Sequence, residues 1–324
     1  MNYRPFGKAG FDVSEIGFGA WALGGGWGPQ SDDDSVKALH RAIDLGVNFI
    51  DTAAGYGNGR SERVIAGALK TRKEHVFVAT KAPPLPGAWP PSPYCRAEER
   101  YSEACLRTNV EERLKCLGVG CLDLLQLHTW TRAWNRNPTP LAVLRKLREE
   151  GKVRFIGVST PEHDQNSVID LMRGGWVDSV QVIYNVFDQE PAAELLEVAR
   201  ECGVGVIVRV PFDEGALTGK FTDKTTFADG DFRRAYFAGD RMARTVKRVD
   251  GVRQALEGTG YTLPQASLKF ILAHPAVSTV IPGMRNPDQV NLNCAVSALP
   301  PMAAEVVAKL QKHNWRRGIW YAGK

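Results

Sequence analysis

Short apolar runs alternate regularly with amphipathic helical patterns along this 324-residue chain, and this alternation restricts the possible folds more than any other feature. The runs predict strands at 16–19, 47–51, 76–80, 122–128, 153–159, 179–183, 204–208 and 277–281. The patterns between and after them predict helices at 33–45, 60–70, 98–117, 140–150, 165–173, 191–201, 263–273 and 287–295. Strands that alternate with helices form parallel sheets, because each helix crosses back to the start of the next strand.

Eight strand–helix units indicate that the parallel sheet closes into an α/β (β/α)8 TIM barrel. A β-hairpin over residues 3–18, with its turn at residues 7–10, leads into the first barrel strand. The alternative is a doubly wound open sheet, which usually carries a GxGxxG motif after its first strand; residues 17–22 lack the third glycine. No low-complexity linker divides the chain, so we expect one domain over residues 1–324.

Charge and composition argue against several classes of partner. The formal net charge of +5 is spread along the chain without a basic stripe, so we expect no nucleic-acid binding. No apolar stretch approaches the roughly 20 residues of a membrane-spanning helix, so we expect no membrane partner. The six cysteines lack paired spacing, which predicts structural thiols, no metal and a cytoplasmic location. Whether the protein is a monomer or a homo-oligomer stays open.

An acid and a phenol stand five residues apart in the glycine-rich run from Asp51 to Glu62. Asp51 ends a predicted strand, and Tyr56 lies in the loop that follows it. Lys81, His128 and Ser159 also come at the ends of predicted strands. Barrel enzymes take their catalytic groups from the carboxyl ends of several strands. The sequence therefore predicts an active site at this end of the barrel.

The chemistry of these side chains is coherent. A lysine ammonium close to a phenol favours tyrosinate, so we expect Lys81 to lower the pKa of Tyr56. Asp51 would keep the lysine charged, and His128 would donate a second hydrogen bond to the same substrate oxygen. Such a site polarises and protonates a carbonyl while another group supplies hydride. No metal-ligand set or activated Ser or Cys nucleophile competes for this face.

With these motifs the chain resembles the aldo-keto reductases, (β/α)8 oxidoreductases that use NADPH or NADH. The likeness covers nearly the whole sequence, and the spacing in Asp-Thr-Ala-x-x-Tyr-Gly is its most specific part. The resemblance implies that the N-terminal hairpin closes the barrel floor. It also implies a catalytic tetrad of Asp51, Tyr56, Lys81 and His128.

The resemblance further implies a nicotinamide site at the ends of the fifth to seventh strands. Ser159 and Thr160 stand where the family usually has Ser-Asn, and Gln181 matches the glutamine that shares their contact with the carboxamide. Arg209 replaces the aromatic residue that usually stacks on the nicotinamide ring. Its guanidinium would stack there and weaken NADP+ binding relative to NADPH, or pair with an acid such as Asp213, or face the substrate.

The remaining cofactor contacts are implied by two further segments. A loop after the seventh strand resembles the one that covers the pyrophosphate, and the segment from Ile281 resembles the adenosine-binding motif. Arg285 would meet the 2′-phosphate, which favours NADPH over NADH. Gln289 and Asn293 would lie near the adenine. The other implied cofactor contacts are Thr52, Pro211, Phe212, Glu214, Gly215, Leu217, Gly219, Lys220, Gly283 and Met284.

Three segments that follow strands are longer than ordinary βα connections: 82–96, 129–139 and 211–240. They carry several aromatic residues and should overhang the carboxyl face of the barrel. These aromatic side chains either pin the loops to the rim or form the wall of a ligand pocket. Our candidates for the substrate pocket are Trp21, Trp27, Trp89, Trp130 and Trp134.

These features predict an enzyme, an NADPH-dependent reductase that converts the carbonyl of a small aldehyde or ketone into an alcohol. Tyr56 would supply the proton, and sugars and ring ketones are among the candidate substrates. Two alternatives stay open: an NAD(P)-dependent sugar or alcohol dehydrogenase that works oxidatively, and a non-enzymatic, cofactor-binding regulatory subunit. The sequence does not identify the substrate, the stereochemistry or the physiological direction.

Overall fold

The computed structural model describes residues 1–315 and 317. Its N-terminal strands, β1 (Tyr3–Pro5) and β2 (Asp12–Ser14), form the antiparallel hairpin. Within the described residues, eight further strands form one parallel sheet in sequential order. They are β3 (Phe18–Gly19), β4 (Phe49–Asp51), β5 (Phe77–Ala82), β6 (Leu122–Leu127), β7 (Val153–Ser159), β8 (Ser179–Ile183), β9 (Gly205–Arg209) and β10 (Val277–Val280).

Hydrogen bonds between the first and last strands close the sheet into a barrel. Gly17 N donates to Val280 O at 2.8 Å, and Gly19 N donates to Pro282 O at 3.0 Å. Ile16 and Val280 form a parallel bridge beside these bonds. The predicted (β/α)8 barrel is confirmed, and the doubly wound alternative is wrong.

The hairpin covers the amino-terminal end of the barrel. The ring of Phe11 stacks on Phe77 with centroids 3.9 Å apart, and Phe6 lies 5.6 Å from Phe49. Phe49 and Phe77 are the first residues of β4 and β5, so these contacts lie where the strands begin. Lys8 N in the hairpin turn also donates to Gly203 O at 2.8 Å. The hairpin therefore forms the barrel floor, as the resemblance implies.

Helices cover the outside of the sheet, and the main apolar core lies between the two layers. They are α1 (Asp32–Asp44), α2 (Arg60–Leu69), α3 (Ala97–Arg100), α4 (Glu103–Leu117), α5 (Thr139–Glu149), α6 (Ile169–Arg173), α7 (Leu195–Cys202), α8 (Arg233–Tyr236), α9 (Arg241–Ala255), α10 (Leu263–Leu272), α11 (Pro287–Cys294) and α12 (Ala304–Gln311). In the described part of the chain, no helix is both long and apolar enough to cross a membrane.

The helices differ from the predicted ones in two ways. The predicted helix 98–117 is broken into α3 and α4, because Tyr101 leaves the helical conformation with φ −139° and Ser102 caps α4 by accepting a hydrogen bond from Cys105 N. The sequence analysis also does not predict α8, α9 and α12. The segment of α9 is rich in arginine and contains Gly251, and its narrow buried stripe is easily missed.

Candidate active site

Inward-facing rows of side chains connect the barrel floor with the predicted catalytic residues. Side chains alternate along a strand, so every second residue faces the barrel interior. From Phe49 on the floor, two steps along β4 lead to Asp51, and from Phe77 four steps along β5 lead to Lys81. The floor residues and the catalytic candidates therefore belong to the same rows, at opposite ends of the barrel.

Asp51 is the acceptor at the centre of the site. Its Oδ1 accepts a hydrogen bond from Lys81 Nζ at 2.5 Å, and both side chains are almost fully buried. Its Oδ2 accepts from the side-chain amides of Gln126 at 3.1 Å and Gln181 at 2.7 Å. Lys81 Nζ also donates to the backbone oxygen of Thr52 at 2.8 Å. The ion pair is thus held by neutral donors and acceptors that satisfy its remaining lone pairs and protons.

Tyr56 reaches the same ammonium from the loop after β4. Lys81 Nζ lies 3.4 Å from the Tyr56 hydroxyl. Gly24 packs directly on the backbone of this loop, because a Cβ atom at Gly24 would lie 2.5 Å from the carbonyl carbon of Tyr56. Gly57 adopts φ 62° and turns the chain away into α2. Gly24 and Gly57 therefore allow the loop to bring the phenol close to Lys81.

The pKa values of this pair depart from the sequence prediction in one respect. Burial raises the pKa of Tyr56, and the opposing effect of the Lys81 ammonium does not outweigh it. Our expectation of a lowered Tyr56 pKa is therefore wrong. Burial alone would lower the pKa of Lys81, but Asp51 and Tyr56 together outweigh that effect and raise it. The site holds a protonated phenol next to a cationic lysine.

His128 follows β6 and faces Tyr56. The two rings meet edge to face, with centroids 6.0 Å apart. Burial, together with the cations Lys81 and Arg209, lowers the pKa of His128 to about 3. The imidazole is neutral near pH 7 and can donate one N–H hydrogen bond. The structure brings all four predicted catalytic residues together.

The predicted carboxamide-binding residues lie beside Asp51. Ser159 and Thr160 are buried at the end of β7. The Thr160 hydroxyl donates to the backbone oxygen of Gln181 at 3.1 Å, while the Gln181 amide is bonded to Asp51. These residues form one polar group at the strand ends. Their contact with a nicotinamide stays a prediction.

Arg209 lies at the end of β9 on the same face. Its Nη2 donates to the backbone oxygen of Thr160 at 3.0 Å and to the carboxylate of Glu162 at 3.1 Å. The suggested pairing with Asp213 is wrong, because Asp213 is bonded to Arg317 at 2.6 Å. The positive charge of Arg209 acts to lower the pKa of both Tyr56 and His128, as expected of a cation near the catalytic residues.

The loop after β9 carries unusual backbone conformations. Val210, Asp213 and Glu214 have φ values of 55°, 49° and 56°. A positive φ is strained for a β-branched residue such as Val210, and such strain often occurs at ligand clamps. Burial and the neighbouring Asp213 raise the pKa of Glu214 to about 8. This loop follows β9 and lies at the face that we predict binds the cofactor.

The other residues that we predict contact the cofactor range from fully buried to exposed. Leu217 and Met284 are fully buried and belong to the apolar core, and their contact with a cofactor stays a prediction. Thr52 is also buried, and its hydroxyl donates to Ser61 at 2.9 Å. Of the remaining residues, the buried ones are Pro211, Gly215 and Asn293, the partly exposed ones are Phe212, Gly219 and Gln289, and the exposed ones are Lys220 and Gly283.

The residues present fit a nicotinamide dinucleotide. Arg209 Nε and Trp27 Nε1 are buried and have no hydrogen-bond partner among the described residues. Arg285 precedes α11, and its guanidinium bonds in the described chain are to the neutral oxygens of Pro29 and Gln30. The face therefore offers two buried donors without a partner, and a guanidinium on Arg285 that no carboxylate of the described residues neutralises, as a polar anionic ligand requires.

The candidate pocket tryptophans fall into two groups. Trp21 lies 6.2 Å from Tyr56, 5.8 Å from Trp27 and 5.0 Å from Phe232, measured between ring centroids. These rings form an aromatic wall beside the phenol. Trp89 is partly buried and packs against Trp134 and His163.

Trp130 and Trp134 are almost completely buried, and both have their indole N–H bonded inside the loops, to Asn135 Oδ1 and Cys95 O respectively. They pin the loops to the rim, so our assignment of these two residues to the substrate pocket is wrong.

Sequence reasoning missed three residues that the structure places at the site. Gln126 supports Asp51, Glu162 pairs with Arg209, and Gln30 binds Arg285. A signal was available for Gln126, because a polar residue within the apolar strand 122–127 faces either the interior or the helix layer and needs a partner. Glu162 and Gln30 lie in loops whose partners are remote in sequence, and no local pattern identifies them.

Comparison with known proteins agrees with this geometry. The profile of the Aldo/keto reductase family matches residues 15–314. The NADH-specific methylglyoxal reductase of Escherichia coli (strain K12) is 29% identical over 316 residues, which cover 91% of this chain and 93% of that protein. Aldo-keto reductase yakc (NADP(+)) of Schizosaccharomyces pombe is 30% identical, covering 87% of this chain and 83% of that protein. The holo structure of aldo-keto reductase AKR11C1 from Bacillus halodurans superposes with a TM-score of 0.77 at 26% identity, over 97% of this chain and 96% of that one.

Proposed function

The chain belongs to the aldo-keto reductase family, and we propose that it is a cytoplasmic, NADPH-dependent reductase of a small aldehyde or ketone. The observation that carries this proposal is the convergence of Tyr56 and His128 over the buried Lys81–Asp51 ion pair. In this reading a single barrel domain provides both the cofactor site and the proton donor.

Tyr56 is the proton donor in the proposed reaction. The hydride for the carbonyl carbon would come from a reduced nicotinamide held at the ends of β7, β8 and β9. As charge develops on the carbonyl oxygen, the phenolic O–H bond of Tyr56 breaks and a new O–H bond forms on the substrate. The resulting tyrosinate is stabilised by the Lys81 ammonium 3.4 Å away, and Asp51 keeps that ammonium charged.

His128 orients the carbonyl. Because its imidazole is neutral, it donates one hydrogen bond to the substrate oxygen without competing with Tyr56 as an acid. The hydrogen bond is worth most where charge develops, in a site from which water is largely excluded. Trp21, Trp27 and Phe232 form the apolar wall that holds the rest of the substrate.

Ser159, Thr160, Gln181 and Arg209 would hold the nicotinamide end of the cofactor, and Arg285 would hold the 2′-phosphate. Arg285 supports NADPH, since its guanidinium is paired with neutral oxygens and keeps its full charge for an anion. One relative is named NADH-specific and another carries NADP(+) in its name, so family membership alone does not predict which of the two cofactors this chain prefers.

A panel of aldehydes, ketones and sugars, followed by NADPH absorbance, tests the proposal. We expect NADPH-linked reduction by the wild type and loss of turnover in Tyr56→Phe, with near-normal NADPH binding in both. Turnover retained by Tyr56→Phe would contradict the catalytic assignment. Activity found only with NADP+ and alcohols would favour the oxidative dehydrogenase, and tight NADPH binding without turnover on any substrate would favour a regulatory subunit.

A further inference from the structure

The loop after the first barrel strand reaches across to the residue that we assign to the cofactor's 2′-phosphate. Gln30 Oε1 accepts a hydrogen bond from Arg285 Nε at 2.9 Å, and Gln30 Nε2 donates to Arg285 O at 2.8 Å. Pro29 O accepts a further bond from Arg285 Nη2. One Gln side chain thus binds both the guanidinium and the main chain of the same arginine.

Gln30 is itself firmly held. Its backbone oxygen accepts a hydrogen bond from Arg60 Nη2 at 2.7 Å, and Arg60 is paired with Asp32 at the start of α1. Gln30 Nε2 also lies 3.2 Å from Ser35 Oγ in the first turns of the same helix. The position of Gln30 is therefore fixed by α1 and the first residue of α2, not by Arg285 alone.

The partners of Arg285 orient its guanidinium without cancelling its charge. Among the described residues, no carboxylate forms an ion pair with Arg285, and its Nη1 has no hydrogen-bond partner. Asp231 is paired with Arg233 at 2.5 Å, and its pKa is lowered mainly by its hydrogen bonds with Arg233 and to a smaller extent by Arg285. The edge of the Arg285 guanidinium that contains Nη1 is therefore available to bind an anion such as a phosphate through two hydrogen bonds.

We infer that Gln30 is a positioning residue that fixes Arg285 for a 2′-phosphate and so sets the preference between phosphorylated and unphosphorylated dinucleotides. This inference rests on the proposed function. An arginine held in the binding conformation loses less side-chain entropy when the phosphate binds. Gln30 therefore stabilises the complex with NADPH and contributes nothing to the complex with NADH.

Binding of 2′,5′-ADP and of ADP, measured by calorimetry without substrate, tests this inference. We expect Gln30→Ala to weaken 2′,5′-ADP binding about tenfold and to leave ADP binding unchanged. Gln30→Glu keeps an acceptor for Arg285 Nε but adds a negative charge, so it should weaken 2′,5′-ADP binding further. A thermal melt of each variant checks that the fold is retained.

The control experiment repeats the Gln30→Ala substitution in a protein that already carries Arg285→Gln. If Gln30 acts through Arg285, Gln30→Ala has no further effect on 2′,5′-ADP binding once Arg285 is replaced. Equal losses for 2′,5′-ADP and ADP, or an unchanged or improved 2′,5′-ADP affinity in Gln30→Ala, would overturn the inference. A wild type that binds 2′,5′-ADP and ADP equally would also overturn the inference, but it would leave NADH-linked carbonyl reduction possible. A wild type that binds neither NADPH nor NADH would instead contradict the proposed function itself.

Discussion

The ammonium of Lys81 lies 2.5 Å from the carboxylate of Asp51, and both side chains are almost completely buried. Replacement of one partner leaves the other charge uncompensated in the barrel. We expect Asp51→Asn or Lys81→Met to lower the free energy of unfolding by about 3–5 kcal/mol. Urea titrations followed by tryptophan fluorescence measure this loss.

The double variant Lys81→Met with Asp51→Asn is the control. It removes both charges, so its loss of stability should be smaller than the sum of the two single losses. Strictly additive losses would mean that the two side chains stabilise the barrel independently, and the ion pair would then not be the source of the effect.

The neutral state of His128 predicts how the rate of carbonyl reduction depends on pH. Its pKa is about 3, so His128 gains no proton between pH 6 and pH 9 and adds no acid limb to the profile in that range. Burial raises the pKa of Tyr56 above its ordinary value of 10.0, so the proton donor is lost only at strongly alkaline pH. Single-turnover reduction should therefore be flat across this range. A limb near pH 6.5 that disappears in His128→Asn would show a titrating histidine and contradict the prediction.

Glu214 predicts a second pH effect, on stability and cofactor affinity. Its pKa of about 8 in the folded protein lies above the ordinary value of 4.5, so its contribution to stability is fully present below about pH 4.5 and is lost as the pH rises through about 8. An ionised Glu214 would also repel the pyrophosphate that its loop is proposed to cover.

We expect Glu214→Gln to melt higher than the wild type at pH 9 and to differ little at pH 5. Its NADPH affinity should also stay constant between pH 6 and pH 9, whereas that of the wild type falls. Melting curves and NADPH titrations at these pH values measure both effects. Parallel pH dependences in the two proteins would show that another group is responsible.

Short-range patterns in the sequence predict most of the barrel. The apolar run 153–159 is confirmed residue for residue as β7, and Pro287 begins α11 as expected of a proline at a helix start. The alternation along the strands also explains why Asp51 and Lys81 meet. These patterns miss a helix with a weak apolar stripe, such as α9, because its stability comes from packing against the rest of the protein and not from its own sequence.

The contacts around the site are less predictable because their partners are remote in sequence. Gln126 lies 75 residues from Asp51, and Gln30 lies 255 residues from Arg285. The net pKa of Tyr56 depends on burial, which no local pattern reports. Trp134 illustrates the same limit, since a loop tryptophan can pin a loop or face a ligand until its N–H partner is known.

Arg209 gives the sharpest test of cofactor chemistry in this chain. If its guanidinium lies against the nicotinamide, its positive charge opposes the cationic oxidised ring and weakens NADP+ binding relative to NADPH. Glu162, 3.1 Å away, offsets part of that charge. We therefore expect Arg209→Tyr to lower the ratio of the NADP+ to the NADPH dissociation constant, and Glu162→Gln to raise it, each by about three- to tenfold. Fluorescence titrations with both cofactors measure the ratio. Because the two substitutions change the local charge in opposite directions, equal ratios in all three proteins would show that Arg209 does not act on the nicotinamide.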